Sequence, residues 1–196
     1  GTGKLTRSLA ALGHHVVAVE PLPEMLDRLR AAVPGVTAVV GTAESMPLPD
    51  DSTDVVACAQ AFHWFDHGPA LAEIARVLRP GGRIALVWNV RDERVPWVDE
   101  LSDAMVGRTG VDRGAAEPIE RSSLFGEVEH ATFEHTQDVD REALRELVLS
   151  RSYCAVLPDE ERAPILGRVD RLFDEHARDG LLTLPYVVEC FRAARG

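Results

Sequence analysis

The sequence predicts an α/β fold, with a mostly parallel sheet and helices on both of its faces. Strands and helices alternate through the first half of the chain, which implies parallel strands joined by right-handed crossovers. The early strands, such as His15–Glu20 and Arg83–Asn89, are continuous apolar runs, as is typical of strands buried on both faces. After Pro96 an apolar and polar alternation replaces these runs, which favours an antiparallel pair of strands at the end of the chain.

Local signals set the bounds of the first elements. Leu5, Leu9 and Leu12 recur at helical spacing and are followed by a glycine, and Pro23 stands at a first helical position. The predicted elements are a helix at Lys4–Leu12, a strand at His15–Glu20, a helix from Pro23, strands at Val36–Val40 and Asp54–Ala59, a helix from Asp66 or Gly68 to Leu78, and a strand at Arg83–Asn89.

The second half of the chain has weaker patterns. Asp140 has the side chain of a helix N-cap, and Pro164 interrupts the longest helical segment early. The predicted elements are a helix from Pro96 to about Arg108, a loop or short helix at Val111–Arg121, a strand at Val128–Thr136, helices at Asp140–Ser150 and Asp159–Arg178, and a strand at Thr183–Arg192.

Composition limits the possible partners. The chain has 196 residues and a formal charge of −11 without a basic cluster, so we expect no nucleic-acid partner. It contains no apolar stretch of membrane-spanning length and no signal peptide, so we expect no membrane partner. Cys58, Cys154 and Cys190 are far apart and lack metal-ligand spacing, which predicts no metal site and fits a reducing cytoplasm.

A glycine turn and an acidic strand end predict a nucleotide site. Gly1-Thr2-Gly3 leads into the first helix, and the next strand ends at Glu20–Pro21. Glycines let the backbone approach a ligand, a helix N-terminus faces it, and a carboxylate accepts hydrogen bonds from ribose hydroxyls. The alternative is that Glu20 is simply a solvated strand end.

The glycine turn lies at the very beginning of this sequence, without a strand before it. A glycine turn of this kind normally follows a strand, and no residues precede Gly1 in this sequence. We therefore expect a sheet without its first, central strand, either because the chain is a fragment or because its numbering begins at the first ordered residue.

Ligands of open α/β sheets bind beside the carboxyl ends of the strands. Two classes of nucleotide compete for this edge. A dinucleotide-binding turn carries a third glycine three residues after Gly3, where this chain has Thr6, and this counts against NAD. The segments expected at the edge are Gly1–Gly3, Glu20–Pro21, Thr42–Glu44, Ala59–Trp64 and Asn89–Arg94.

These segments resemble the motifs of class I S-adenosylmethionine-dependent methyltransferases. The resemblance extends from Gly1 to about Arg94 and is closest to the small-molecule branch that includes ubiquinone/menaquinone-type and trans-aconitate-type enzymes. The segments that carry it are Gly1–Gly3, Val19–Pro21, Gly41–Leu48, Asp54–Val56, Gln60–Phe65, Arg76–Gly82 and Trp88–Asp92.

The resemblance implies one Rossmann-like domain over residues 1–196 with a seven-stranded sheet. The last two strands would form an antiparallel pair, and the helices between them, residues 138–180, would form a cap over the substrate. The first strand of the family's sheet and its first motif glycine are absent from this sequence.

The resemblance also assigns a cofactor site. The glycine turn would approach the cofactor, Glu20 would hold the ribose, and Thr42–Glu44 would contact the adenine. Thr42 stands where many relatives carry aspartate, and a hydroxyl is a weaker acceptor than a carboxylate. The residues assigned to the cofactor are Gly1, Thr2, Gly3, Glu20, Pro21, Thr42, Ala43, Glu44, Ala59, Gln60 and Ala61.

Five residues are candidates for the acceptor side. His63 is placed by the resemblance near the transferred methyl group as a general base; alternatively, it is a structural histidine at a strand end. Trp64 is either a core or pocket-wall residue or a specific contact to the acceptor, and Tyr153 lines the cap or packs its helix. Arg91 and Arg94 either anchor an acidic substrate or are ordinary charges of an exposed loop.

The function predicted from the sequence is that of a cytoplasmic S-adenosylmethionine-dependent methyltransferase, a monomer or homodimer that needs no metal. Its acceptor is a small molecule, with a carboxylate or hydroxyl oxygen favoured over nitrogen or carbon, and its second product is S-adenosylhomocysteine. Two alternatives remain: a non-catalytic module that binds S-adenosylmethionine, and an NAD-dependent oxidoreductase.

Overall fold

A computed structural model of the protein describes residues 1–105, 115–150, 154 and 157–196. These residues form two compact units. Residues 1–87, 115–130 and 190–196 belong to the first unit, and residues 88–105, 131–150, 154 and 157–189 to the second.

The observed elements match the sequence prediction closely. The helices are α1 (Lys4–Ala11), α2 (Pro23–Ala32), α3 (His67–Val77), α4 (Pro96–Ala104), α5 (Glu117–Glu120), α6 (Arg141–Leu149) and α7 (Asp159–His176), with one 3₁₀ turn at Phe62–Trp64. The strands are β1 (Val17–Glu20), β2 (Thr37–Val40), β3 (Thr53–Ala59), β4 (Leu78–Arg91), β5 (Glu129–Val139) and β6 (Leu182–Ala194).

The strands form two sheets. β1 pairs with β2 in parallel, from Val17 opposite Thr37 to Glu20 opposite Val40. The other sheet has the order β3-β4-β6-β5, and β3 is parallel to β4. No strand in the described part of the chain joins β1 to β3. That the sheet lacks its first, central strand stays a prediction.

The last two strands form the antiparallel pair that the sequence predicts. Arg192 on β6 lies opposite Glu129 on β5, with Nη2 2.6 Å from Oε2, whereas Thr183 donates a 2.7 Å hydrogen bond to Asp138. Because the later residue of one strand meets the earlier residue of the other, the strands run in opposite directions. The residues of β5 are exposed on both faces from 129 to 138.

In the first unit, apolar residues of α2 and α3 are buried. Leu26 and Leu29 lie inside on α2, and Ile74 on α3 is 1% exposed. The apolar side of α1 behaves differently, because α1 has no buried residue. Leu12, the C-cap of α1, is 74% exposed.

The second unit has its own helical core. α7 packs against α4 and α6, and the Asp140 carboxylate caps α6 by accepting a 2.8 Å hydrogen bond from the Ala143 amide. The buried core residues are Val98, Leu101, Met105, Val139, Leu144, Val148, Cys154, Val169, Leu172, Phe173, Leu182, Leu184 and Tyr186. That residues 138–180 cap a substrate within a single domain stays a prediction.

None of the helices in the described ranges is both long enough and apolar enough to cross a membrane.

Candidate functional site

The glycine turn leads directly into α1. Gly3 is the N-cap of α1 and has a φ of 87°, a left-handed conformation that favours glycine. A Cβ at Gly3 would lie 3.1 Å from Cγ of Leu29 and 3.3 Å from Cγ2 of Val33. Backbone conformation and packing against α2 therefore both favour glycine, and Gly1–Gly3 form a turn without side-chain bulk at the start of α1.

Glu20 lies beside this turn, at the end of β1. Its Oε2 lies beside the backbone nitrogen of Gly1, and its Oε1 accepts a 3.0 Å hydrogen bond from the Leu22 amide. The side chain is 12% exposed, so the carboxylate is largely shielded and held in one orientation. The glycine turn and Glu20, which the sequence assigns to one nucleotide site, thus lie side by side in the structure.

The segment after β2 joins the same neighbourhood through its backbone. The Gly41 amide donates to the Glu20 carbonyl over 3.4 Å. A Cβ at Gly41 would lie 2.7 Å from Pro47 Cδ and 3.1 Å from the Ser45 carbonyl oxygen, so only glycine fits. Thr42 and Ser45 then close a tight turn with two backbone hydrogen bonds of 3.2 and 3.3 Å.

Glu44 is fixed by hydrogen bonds within the first unit. Its Oε1 accepts a 3.0 Å hydrogen bond from the amide of Asp66, the N-cap of α3. Burial alone would raise the pKa of Glu44, but hydrogen bonds from its own amide, the Thr42 hydroxyl and the Asp66 amide outweigh this effect and lower the pKa. The Thr42 hydroxyl is therefore oriented by a carboxylate, and its oxygen keeps an acceptor position for a ligand.

The chain leaves β3 through a strained residue. Gln60 follows Ala59 with a φ of 52°, and its amide donates a 3.0 Å hydrogen bond to the Val87 carbonyl of β4. Residues with side chains rarely adopt this conformation, and strain of this kind clusters at functional sites. Ala61 is the N-cap of the 3₁₀ turn that follows.

That turn buries one aromatic ring and exposes two. Phe62 is 1% exposed and stacks on His67 at a ring-centroid distance of 4.6 Å. His63 is exposed, and its ring centroid lies 5.0 Å from that of Trp64, which is 81% exposed. The expectation that Trp64 is a core residue is therefore wrong, and the buried member of the turn is Phe62.

Glu73 and Arg76 support the Gly41–Asp51 loop from α3, a role that the sequence did not indicate for either residue. Glu73 accepts hydrogen bonds of 2.7 Å from Arg76 Nη2 and from the Met46 amide, while Arg76 Nη1 reaches the Leu48 carbonyl at 2.9 Å. The available signal was the spacing of Glu73 and Arg76 by three residues on a helix, which places opposite charges side by side.

The pKa of Glu73 predicts a pH-dependent stability. Hydrogen bonds from Arg76 are the main reason that this pKa falls from 4.5 to about 2, and the Met46 amide adds to the effect. A carboxylate with a lowered folded-state pKa stabilises the fold fully above pH 4.5 and loses this effect as the pH falls towards 2. Glu73→Gln is expected to lower the free energy of unfolding at pH 7 by about 2–3 kcal/mol.

Urea unfolding of the parent and Glu73→Gln between pH 3 and pH 7 checks this prediction. The gap in stability between the two proteins should narrow as the pH falls below about 4.5. Arg79→Gln is the matched control, because it removes the exposed pair that Arg79 forms with Asp54 at 2.5 Å. A Glu73→Gln gap that stays constant over this range would contradict the assignment.

The two arginines proposed for the acceptor lie in the second unit. Arg91 is not an exposed loop charge: it is 3% exposed at the end of β4, and its Nε donates a 3.0 Å hydrogen bond to Ser102 on α4. Arg94 is exposed, and it binds Asp92 at 2.7 Å and Glu134 at 2.5 Å. Both carboxylates raise the pKa of Arg94, with Asp92 the larger cause. Tyr153 lies outside the described residues.

The cysteine on β3 is poorly suited to nucleophilic chemistry. Cys58 on β3 is buried, and burial raises its pKa to about 12, so the thiol is protonated at neutral pH. Within residues 1–105, 115–150, 154 and 157–196, no three histidine, cysteine or acidic side chains are grouped as metal ligands.

Comparisons with known proteins identify the class. A model of the methyltransferase domain matches residues 1–86. An uncharacterized methyltransferase of Mycobacterium tuberculosis is 49% identical over 200 residues, which cover 98% of this chain and 79% of that protein. An uncharacterized methyltransferase-like protein of Schizosaccharomyces pombe is 38% identical over 178 residues, covering 88% of this chain and 69% of that protein.

Similarity to a solved structure supports the same assignment. The solved structure of a type II methyltransferase from Anaeromyxobacter dehalogenans has a TM-score of 0.73 at 26% identity and covers 100% of this chain and 86% of that one. The chain belongs to the class I S-adenosylmethionine-dependent methyltransferases. The predicted fold class and the predicted enzyme class are thereby confirmed.

Proposed function

We propose that this enzyme transfers a methyl group from S-adenosylmethionine to an oxygen of a small-molecule acceptor, either a carboxylate or a hydroxyl. The observation that carries the cofactor part is the fixed Glu20 carboxylate beside the glycine turn, with Gly41 bonded to the same strand end. This arrangement supports binding of a ribose next to a close-approaching backbone and a purine next to Thr42.

The first unit offers a role for each cofactor residue. Gly1, Thr2 and Gly3 would follow the methionine part of the cofactor with their backbone, and Glu20 and Pro21 would contact the ribose. Thr42, Ala43 and Glu44 would meet the adenine, and Ala59, Gln60 and Ala61 would line the edge beside the methyl group. The Thr42 hydroxyl, held by Glu44, would accept from the adenine amino group, and donation to a carboxylate strengthens such an acceptor.

When it is bound, S-adenosylmethionine supplies a methyl group that is already activated by the sulfonium. The protein then has to align an acceptor with that group, exclude water and remove a proton where the acceptor carries one. Positioning of this kind can contribute roughly 7–11 kcal/mol to rate acceleration.

The acceptor residues are proposed separately. His63 would take a proton from a hydroxyl, and Trp64 would offer an aromatic surface to the acceptor. Arg91 and Arg94 are proposed to attract a negatively charged acceptor, which the protein's net charge of −11 would otherwise repel. For Arg94 this requires competition with Asp92 and Glu134, to which it is already bonded. For Arg91 it requires the acceptor to reach a side chain that is 3% exposed and donates to Ser102. Tyr153 stays a candidate from the sequence alone.

A transfer assay tests the proposal. The protein is incubated with S-adenosylmethionine that carries a labelled methyl group and with a panel of small carboxylates, phenols, alcohols and amines. We expect label on an oxygen of at least one acceptor, with one S-adenosylhomocysteine formed per methyl group. Tight cofactor binding without transfer would favour the non-catalytic binding module, and label on nitrogen or carbon alone would exclude the oxygen acceptor.

A further inference from the structure

The last turns of α3 hold the Gly41–Asp51 loop through one guanidinium group. All five N–H donors of Arg76 have acceptors. Nε and Nη2 each donate to Glu73 at 2.7 Å, and Nη2 also donates to the Met46 carbonyl at 3.1 Å. Nη1 donates to the Leu48 carbonyl at 2.9 Å and to Asp50 at 2.5 Å.

Glu73 completes this attachment from the same helix. Its carboxylate aligns the Arg76 guanidinium and also accepts the Met46 amide at 2.7 Å. Met46 is therefore held at both its amide and its carbonyl, and it is only 8% exposed. The Arg76 carbonyl accepts a 3.0 Å hydrogen bond from the Asp51 amide, so the end of the loop is also bonded to the helix.

The same loop carries the proposed adenine contacts at its other end. Thr42 and Glu44 lie within four residues of Met46, and the Thr42–Ser45 turn leads directly into it. Glu44 is bonded to the N-cap of α3, whereas Met46, Leu48 and Asp50 are bonded to residues near its end. The loop thus lies along one helix and is fixed at both ends of that helix.

We propose that Arg76 and Glu73 are positioning residues for adenine recognition, which act by holding the Gly41–Asp51 loop in its binding conformation. This inference rests on the proposed cofactor site. Neither residue needs to touch the ligand: a loop fixed before binding loses less conformational entropy when the adenine arrives. Because the acceptors of Arg76 are spread over Met46, Leu48 and Asp50, a single positive charge without the planar fork does not replace it.

Two ligands that differ only in the adenine test this inference. S-adenosylhomocysteine carries the base, and S-ribosylhomocysteine has the same ribose and amino acid without it. In Arg76→Gln we expect the dissociation constant of S-adenosylhomocysteine to rise roughly tenfold, and that of S-ribosylhomocysteine to change less than about twofold. Both constants are measured by calorimetry or ligand-observed NMR.

Two further variants keep the test decisive. Arg76→Lys keeps the positive charge but loses the planar guanidinium group, so it should behave like Arg76→Gln. Glu73→Gln is the substitute variant if neither Arg76 variant folds. Arg79→Gln is the control, since Arg79 lies three residues further on and pairs only on the surface with Asp54. Thermal unfolding confirms that each variant is folded at the temperature of the titration.

The outcomes are distinct. Selective weakening of S-adenosylhomocysteine supports the inference. Equal weakening of both ligands would mean a general structural role, and unchanged affinities would mean no role; either result overturns it. If the parent protein binds neither ligand, the proposed cofactor site itself is wrong, and the inference fails with it.

Discussion

His63→Ala is expected to lower turnover by about 10²- to 10⁴-fold with a hydroxyl acceptor, the usual loss when a general base is removed. A hydroxyl of high pKa has to lose its proton as it attacks the methyl group, and an imidazole is suited to accept that proton near neutral pH. His63 is exposed on the turn that follows β3, so its ring is free to meet an acceptor. Its removal should change stability little.

Turnover and cofactor affinity together separate a catalytic role of His63 from a structural one. In His63→Ala the turnover should fall, while the dissociation constant of S-adenosylmethionine stays nearly unchanged. His14→Ala removes another exposed imidazole of the first unit and serves as the control.

The acceptor determines whether this prediction applies. A carboxylate acceptor is already ionised near neutral pH and needs no base. In that case His63→Ala should keep most of its turnover, and His63 would be limited to holding the acceptor. With a hydroxyl acceptor, a His63→Ala variant that retains most of its turnover would exclude a catalytic role for His63.

Glu20→Ala is expected to weaken binding of S-adenosylhomocysteine about tenfold to a hundredfold. The ribose hydroxyls lose a carboxylate acceptor in a site that is largely shielded from water. The loss weakens the binding free energy by on the order of 1–3 kcal/mol. The Leu22 amide fixes the Glu20 carboxylate before any ligand arrives, so the parent does not have to order this side chain on binding. Calorimetry on the parent and the variant measures the difference.

Two controls test whether the loss of affinity is specific to Glu20 and to the ribose hydroxyls. Glu24→Gln removes an exposed negative charge in the first turn of α2, four residues away, and should leave the affinity unchanged. A 2′,3′-dideoxy analogue of S-adenosylhomocysteine lacks the hydroxyls, so its affinity should be equal in the parent and in Glu20→Ala. An unchanged affinity for S-adenosylhomocysteine in Glu20→Ala would contradict the ribose assignment.

The sequence was sufficient for the features that depend on local patterns. Helical spacing and stop signals predicted α6 and α7 to within two residues, because capping and periodicity are properties of neighbouring residues. The juxtaposition of Gly1–Gly3 and Glu20 was also predictable, since strand ends of a parallel sheet meet at one edge.

Features that depend on distant partners were not predictable. Arg91 lies among charged residues in the sequence, and its burial depends on contact with α4, including Ser102. Arg76 is bonded to residues 26 to 30 positions away, which no local pattern indicates. The exposure of both faces of β5 likewise depends on what packs against it, which alternation alone does not specify.

The most direct test of the cofactor site is a crystal structure of the protein with S-adenosylhomocysteine. The account predicts that the ribose hydroxyls lie within about 3.2 Å of the Glu20 carboxylate oxygens. It also predicts the adenine amino group at the Thr42 hydroxyl and the homocysteine along Gly1–Gly3. A ribose that contacts neither oxygen of Glu20, or an adenine bound away from residues 42–44, would contradict it.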